Sequence, residues 1–181
     1  MTMFIQVPTY PLELLADAQW LSEEAAKHPQ TDGRLTTKSA ERAFARAAIF
    51  TAFNFVESLL IELTETCLAD PATCPSVKID IENQLREGKA SISRTIKEWP
   101  LQLGKQKVHG LAEFGAFKKL RQLRNQLTHP KLQPLDPNAP TKDRLLQETN
   151  AANAAWAVAE VKKMGRALYQ SFGAIVPPEV K

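Results

Sequence analysis

The chain has 181 residues, of which 44% are hydrophobic and 24% are charged, and its net charge at pH 7 is +3. This length is enough for one domain with a sizeable core, and the composition is that of an ordinary globular protein rather than a low-complexity or disulfide-rich chain. The small net charge gives no general reason to expect nucleic-acid or membrane binding, so any basic surface must come from local clustering.

The N-terminus and the cysteines indicate the compartment. The first residues lack the basic and apolar regions of a secretory signal, and no apolar run approaches the ~20 residues that span a bilayer. Cys67 and Cys74 have the spacing of neither a zinc site nor a CxxC pair, so we expect two free thiols in a reducing compartment. These features predict a cytoplasmic protein with no membrane partner.

Helical patterns begin near the N-terminus. Residues 1–10 form an irregular lead-in, after which Pro11 stands near the first turn of a helix that ends at about Pro29. A polar loop leads to the longest predicted helix, over residues 37–69. Its length would be roughly 45 Å at the usual rise per residue.

The long predicted helix has a wide apolar surface. Its two apolar rows are Phe44, Ala48, Ala52, Phe55, Leu59 and Leu63, and Ile49, Phe53, Val56 and Leu60. Such a surface predicts a helix that is covered on more than one side. Asn54 and Glu57 lie among these residues, and a buried carboxylate is costly unless it has a partner. Glu57 is therefore expected to contact a cation or a hydrogen-bond donor if it faces inward.

The second half of the chain predicts three further helices. The first covers residues 76–99, with Ser76 as its cap and Pro100 as its end. Its apolar stripe is regular and includes Gly88, where we expect another helix to approach closely. The next two helices cover about 113–127 and 145–172, and the apolar stripe of the last one includes Gly165. The apolar side of the helix over 113–127 is formed by Phe117, Leu120, Leu123 and Leu127.

No segment alternates convincingly between apolar and polar residues as a strand would. The chain is therefore predicted to be all-α, a bundle of four or five helices in a single domain over residues 1–181. The lead-in would cover 1–10, the helical bundle 11–173 and a flexible tail 174–181.

The end of the helix predicted over 113–127 combines a fixed positive charge with a titratable base. The sequence RNQLTHP occupies residues 124–130, so that four residues separate Arg124 from His129. No acid lies between Glu113 and Asp136. The basic residues of this stretch are Lys118, Lys119, Arg121, Arg124 and Lys131. On an ideal helix Arg124 and His129 point about 140° apart. Either the following proline distorts the helix end, or two copies of the helix meet across a two-fold axis.

The hexapeptide RNQLTH, residues 124–129, resembles the Arg-x(4–6)-His motif of the HEPN superfamily, in the form where asparagine follows the arginine. The resemblance covers the helical order of roughly residues 40–172, and the hexapeptide is its specific part. It implies a small helical bundle that forms a homodimer, in which the paired motifs build one composite cleft. Many HEPN proteins are metal-independent endoribonucleases of toxin–antitoxin, abortive-infection and other defence systems. Members often add a polar or acidic residue from an earlier long helix, and Glu57 or Asn54 matches that role by position.

The chemistry of RNA cleavage suits these residue types. Attack by the 2′-hydroxyl on the adjacent phosphate needs a base, an acid and positive charge on the developing phosphorane. A histidine with a pKa near ~6.5 can exchange protons near neutral pH, and an arginine is always charged. Our hypothesis makes His129 the acid/base, Arg124 the phosphate stabiliser and Asn125 a positioning group. Lys118, Lys119, Arg121 and Lys131 would hold the RNA backbone. No metal or other cofactor is expected.

Each motif residue also has a structural interpretation. His129 would be a cation favoured by the helix dipole, Arg124 would form an ion pair with Glu57, and Asn125 would cap the helix end. The lysines would form a solvated face. The chain would then be a non-catalytic HEPN-like interaction module that oligomerises through the helix over 37–69. In the enzymatic interpretation, the partners are RNA, a second copy of the chain and an antitoxin or regulatory protein.

Overall fold

The computed structural model describes residues 10–29, 40–88, 91–108, 110–128 and 149–181. Within these ranges it contains six α-helices and one short 3-10 helix, and no β-strand. The helices are α1 (Tyr10–Lys27), α2 (Ala40–Ala69), α3 (Pro75–Glu87), α4 (Ile92–Gln102), α5 (Ala112–Thr128), α6 (Ala151–Ser171) and the 3-10 helix Pro178–Val180. The all-α class is confirmed for the described part of the chain, and the helices form a bundle.

Helix α2 is the centre of this bundle. It packs against α1, α4, α5 and α6, and the residues of both predicted apolar rows are buried except for the half-buried Phe44. This confirms the prediction that α2 is covered on more than one side. Alanines bring three helices close together at its N-terminal half, where Ala25 of α1, Ala45 and Ala48 of α2 and Ala154 of α6 form a fully buried cluster.

The expectation of one helix over residues 76–99 is wrong, because the chain forms α3 and α4 instead. Gly88 ends α3 in the left-handed conformation, with φ at 62°, and its N–H donates to the carbonyl of Leu85 at 3.3 Å. Glycine adopts this conformation without the steric cost of a Cβ atom, which makes it a common residue after a helix end. No atom lies within 4 Å of the position of a Cβ on Gly88, so no helix approaches it closely.

The glycine at a close helix–helix contact is Gly165 in α6. A Cβ atom there would lie 2.8 Å from Phe55 Cζ and 3.2 Å from Val180 Cγ1. Both side chains are fully buried. The missing side chain of Gly165 therefore leaves the space in which the Phe55 ring of α2 and Val180 of the C-terminal segment pack on α6.

Other predicted helix ends differ by a few residues. Helix α3 starts at Pro75, after Cys74 rather than at Ser76, because proline has a suitable φ and needs no hydrogen bond at a first helical position. Helix α4 continues through Pro100, since the missing N–H removes only one bond; Leu103 N–H still donates to Trp99 O at 3.0 Å. Helix α6 starts at Ala151, where the Asn150 side chain accepts a hydrogen bond from Asn153 N–H.

The C-terminal segment packs against the bundle, in contrast to the flexible tail expected over 174–181. Val180 is fully buried against α6, and Arg166 donates hydrogen bonds to the carbonyl oxygens of Val180 and Lys181. The close contact of Val180 at Gly165 and the hydrogen bonds from Arg166 hold this segment on α6. The division of the chain into a single domain stays a prediction.

Helix α2 is long and apolar enough to cross a membrane by length and composition alone, with a mean hydropathy of 1.5 over an 18-residue window. The expectation that no apolar run approaches this length is therefore wrong. Half of that window is buried inside the protein, as in the core helix of a bundle. Cys67 and Cys74 are both free, as predicted. The cytoplasmic location stays a prediction.

Candidate functional site

Helix α5 carries the motif and lies against α2 and α6. Its buried residues are Phe114, Phe117, Leu120 and Leu123, which agrees with the predicted apolar side except that Leu127 is half-buried. The Phe117 ring stacks on Phe53 of α2 with centroids 5.3 Å apart and an angle of 6° between the planes. This contact sets the position of α5 on α2 and thereby the position of the arginine that follows two turns later.

Arg124 lies on α2 rather than in solvent. Its side chain is half-buried, and Cζ of the guanidinium is 5.1 Å from the Phe53 ring centroid and 5.9 Å from that of Phe50. These are cation–π distances. One terminal nitrogen donates to Asn125 Oδ1 at 3.2 Å. Nε is buried and has no hydrogen-bond partner in the described part of the chain. The guanidinium is thus held in place mainly by ring faces, with donors left over.

Glu57 lies on the side of α2 that faces Arg124, and it is half-buried. Burial raises the pKa of its carboxyl above the ordinary value of 4.5, and the positive charge of Arg124 opposes this rise. The two groups are therefore close enough to interact electrostatically. They do not form an ion pair within 4.0 Å. Four ion pairs in the described ranges each join two residues of the same helix. The structural interpretation of Arg124 as one half of a Glu57 ion pair does not match this geometry.

The two predicted asparagines are both exposed. Asn125 is fixed to Arg124 by the hydrogen bond between their side chains. Asn54 lies one helical turn before Glu57, on the neighbouring surface of α2. Arg124 thus contacts Asn125 directly and interacts electrostatically with Glu57. Asn54 lies at the edge of this group of polar residues.

The basic residues of α5 divide into two kinds. Lys118 and Lys119 are exposed, and Lys118 Nζ lies 4.9 Å above the Phe114 ring centroid. Arg121 is half-buried and donates to Ser93 Oγ of α4, while its Nε is buried with no partner in the described ranges. Arg121 therefore connects α5 to α4, a role that its place in a basic run did not indicate. The two lysines keep the solvent exposure that RNA-backbone binding requires.

His129 and Lys131 lie outside the described residues. Helix α5 keeps regular geometry up to Thr128, whose hydroxyl donates to the Arg124 carbonyl at 2.8 Å. The predicted angle between Arg124 and His129 therefore stays a prediction, and so does the pairing of two motifs across a two-fold axis.

A groove between α2, α3 and α4 adjoins Glu57 and was not anticipated from the sequence. Its volume is about 240 Å³. The residues that line it are Glu57, Leu60, Ile61, Gln84, Leu85, Gly88, Ile92, Thr95 and Trp99. Trp99 Nε1 donates to Gln84 Oε1 at 3.0 Å, and Gln84 Nε2 donates to Asp80 Oδ2 at 3.0 Å. The sequence did contain an indication of this groove, because the polar residues Gln84 and Thr95 each adjoin the apolar stripe of the helix predicted over 76–99.

No cluster of three metal-binding side chains occurs in the ranges that the structure describes. This leaves the expected independence of metal and cofactor as a prediction that only an activity measurement can test.

Comparison with known proteins adds no relative. No protein-family model matches the chain. Neither the curated proteins nor the solved structures contain a significant match to it.

Proposed function

We propose that this chain is a HEPN-like, metal-independent endoribonuclease that acts as a homodimer. The observation that supports this most is the setting of Arg124, at the end of the helix that leads to His129. Its guanidinium is half-buried on two phenylalanine rings, is within electrostatic range of Glu57 and keeps a buried Nε without a partner. An arginine whose donors are not all used within the protein can donate hydrogen bonds to a phosphate.

The proposed role of Arg124 is to stabilise negative charge on the phosphorane. A partly desolvated guanidinium interacts more strongly with a phosphate than one in bulk water. Because Phe50 and Phe53 already support its planar group, little rearrangement is needed when the phosphate arrives. Glu57 is too far for an ion pair, so it leaves the donors of Arg124 available while its charge helps to orient them.

The remaining roles follow from residue chemistry. His129 would take the proton from the 2′-hydroxyl or give one to the leaving 5′-oxygen, and Asn125 would hold Arg124 through its side-chain amide. Asn54 would act as a polar support at the edge of the site. Lys118, Lys119 and Lys131 would bind the RNA backbone.

The site would be completed by a second copy of the chain. Arg124 and His129 do not share a face on one ideal helix, as a single active centre would need. A two-fold axis beside the end of α5 would place each histidine near the arginine of the partner subunit. Such enzymes slow growth when unrestrained, so an antitoxin or regulatory protein and a role in defence belong to this proposal, as does a cytoplasmic location.

The test is cleavage of a mixed RNA pool by purified protein in EDTA. We expect cutting that leaves 2′,3′-cyclic phosphate ends and that the double variant Arg124→Ala/His129→Ala lacks. The matched control is Arg86→Ala, which removes an exposed arginine on α3 and should cut like the wild type. Equal cutting by all three proteins would show contamination or another site.

The second candidate function is a non-catalytic HEPN-like interaction module. It is favoured by the exposed Trp20 of α1, which is 55% exposed and contacts the half-buried Phe44 edge-on with ring centroids 6.2 Å apart. The apolar surface of α2 itself is largely covered within the chain, so this function would use the Trp20 surface rather than α2. A stable partner complex that survives the motif variant but not Trp20→Ala would favour it.

A further inference from the structure

The groove between α2, α3 and α4 has the size of a site for one flat ring system. Its volume of about 240 Å³ is below the roughly 300–1,000 Å³ of sites for drug-sized ligands. Leu60, Ile61 and Leu85 supply apolar surface, and they come from α2 and α3. An aromatic ring placed between them would exchange water contacts for apolar ones.

The polar groups of the groove are few and differ in availability. Thr95 Oγ1 already donates to the Ile92 carbonyl at 3.0 Å, and Gln84 is oriented by Trp99 and Asp80. Glu57 makes no hydrogen bond within the described part of the chain. When ionised, its two carboxylate oxygens only accept hydrogen bonds. A ligand in this groove is therefore favoured if it presents N–H donors toward Glu57.

Positive charge borders the groove on the side of α5. Arg124 interacts electrostatically with Glu57, which lines the groove. Arg121 donates to Ser93, the neighbour of the lining residue Ile92. Each arginine keeps a buried Nε without a partner in the described ranges. A ligand that carries both a flat ring and a phosphate would match the two features together.

Resting on the proposed function, we propose that this groove is the base subsite of the RNA site and that it takes an unstacked guanine. Guanine presents two adjacent donors, N1–H and the N2 amino group, which fit the two oxygens of one carboxylate. Adenine and cytosine present one donor beside an acceptor on that edge, and uracil presents one N–H between two carbonyls. Unstacked bases that are hydrogen-bonded on this edge are the usual target of sequence-specific RNA recognition. The adjoining phosphate would lie near Arg121 and Arg124.

The test is a calorimetric titration of the His129→Ala variant, which should bind RNA without cutting it. The probes are the trinucleotides r(AGA) and r(AUA), with free GTP in a parallel titration. We expect r(AGA) to bind at least about tenfold tighter than r(AUA), as for a bidentate base contact, and tighter than GTP. Equal affinity for the two RNAs would overturn the base subsite. Tighter binding of GTP would overturn its assignment to RNA.

A groove-filling variant and a matched control locate the effect. Ile61 lines the groove and is 38% exposed, whereas Ile79 on α3 is 59% exposed and lies outside it. Ile61→Trp should abolish the preference for r(AGA) and keep weak binding of both RNAs, while Ile79→Trp should leave the preference intact. A preference that survives Ile61→Trp would overturn the assignment to this groove.

The outcomes separate this inference from the proposed function. RNA cleavage by the wild type together with equal binding of r(AGA) and r(AUA) would overturn only the subsite. A guanine preference that Ile61→Trp removes, with no cleavage by the wild type, would support the subsite and count against the enzyme. Absence of both RNA binding and cleavage would overturn both.

Discussion

The two sides of α2 differ in how closely they are packed and in the charge that they carry. Toward α6, the Phe55 ring and the buried Val180 occupy the space left by Gly165, with no room for one more carbon atom. Toward α5, Arg124 and Glu57 are half-buried, do not form an ion pair, and leave the arginine Nε without a partner in the described ranges. One side is a close apolar contact, and the other holds half-buried charged groups.

This difference predicts on which side substitutions should mainly change stability and on which they should mainly change activity. Close apolar packing lowers the free energy of the folded state, whereas partly desolvated charges without full partners raise it. Such groups persist where activity needs them, and their replacement often stabilises a protein while activity is lost. The α2–α6 contact should therefore be sensitive to small changes in volume. Substitutions on the α2–α5 surface should change stability little and reduce activity strongly.

The largest expected effect is on the packed side. Gly165→Ala should lower the free energy of unfolding by about 1–3 kcal/mol, the usual cost of overpacking a core, because the new Cβ would lie 2.8–2.9 Å from the Phe55 ring. Urea unfolding measures this. The control is Gly115→Ala in α5, where nothing lies within 4 Å, and it should stabilise by up to about 1 kcal/mol because alanine favours helix more than glycine. Equal effects of the two changes would contradict the close contact at Gly165.

A smaller effect on stability, with a large effect on activity, is expected at Arg124. Arg124→Met keeps an unbranched side chain over Phe50 and Phe53, loses the cation–π attraction and removes the buried Nε. We expect the free energy of unfolding to change by less than about 1 kcal/mol. RNA cleavage should fall about 100-fold or more, as when a transition-state donor is removed. Urea unfolding and the cleavage assay test both parts.

The exposed Arg86 offers a matched substitution for the same experiment, since Arg86→Met should change neither quantity. Destabilisation of the Arg124→Met protein by several kcal/mol would show that Arg124 is mainly structural, and the contrast between the two sides of α2 would then be lost.

The smallest expected effect is at Glu57 and depends on pH. Burial raises the pKa of its carboxyl in the folded state, so the folded protein binds this proton more tightly than the unfolded chain does. The stabilisation that comes from this tighter proton binding is complete below the ordinary pKa of 4.5, and it is lost as the pH rises through the folded-state pKa. Glu57→Gln should therefore stabilise the protein by less than about 1 kcal/mol at pH 7, and the gain should vanish near pH 4.

Unfolding by urea at both pH values measures this difference. A loss of stability in Glu57→Gln at pH 7 would mean that the carboxylate is paired, and the α2–α5 side would then contribute to stability as the α2–α6 side does.

The sequence by itself determined the all-α class, the position of most helices and the presence of the Arg-Asn-x(3)-His segment at the end of one helix. These are local properties, because helical periodicity reflects the geometry of a few successive residues. The same local signals were ambiguous at glycine and proline. Gly88 and Gly165 each fell on an apolar stripe, yet one ends a helix and the other makes room for Phe55. Their roles depend on backbone conformation and on residues distant in the chain.

Only the tertiary structure decided what surrounds the motif. It placed Arg124 on the rings of Phe50 and Phe53, connected Arg121 to Ser93, and formed the groove beside Glu57 from three helices. The contacts of the two arginines join residues that are 28 to 74 positions apart, so no local pattern specifies them. The physical reason is that helix–helix packing sets the distance between side chains on different helices, whereas periodicity sets only the face on which each side chain lies.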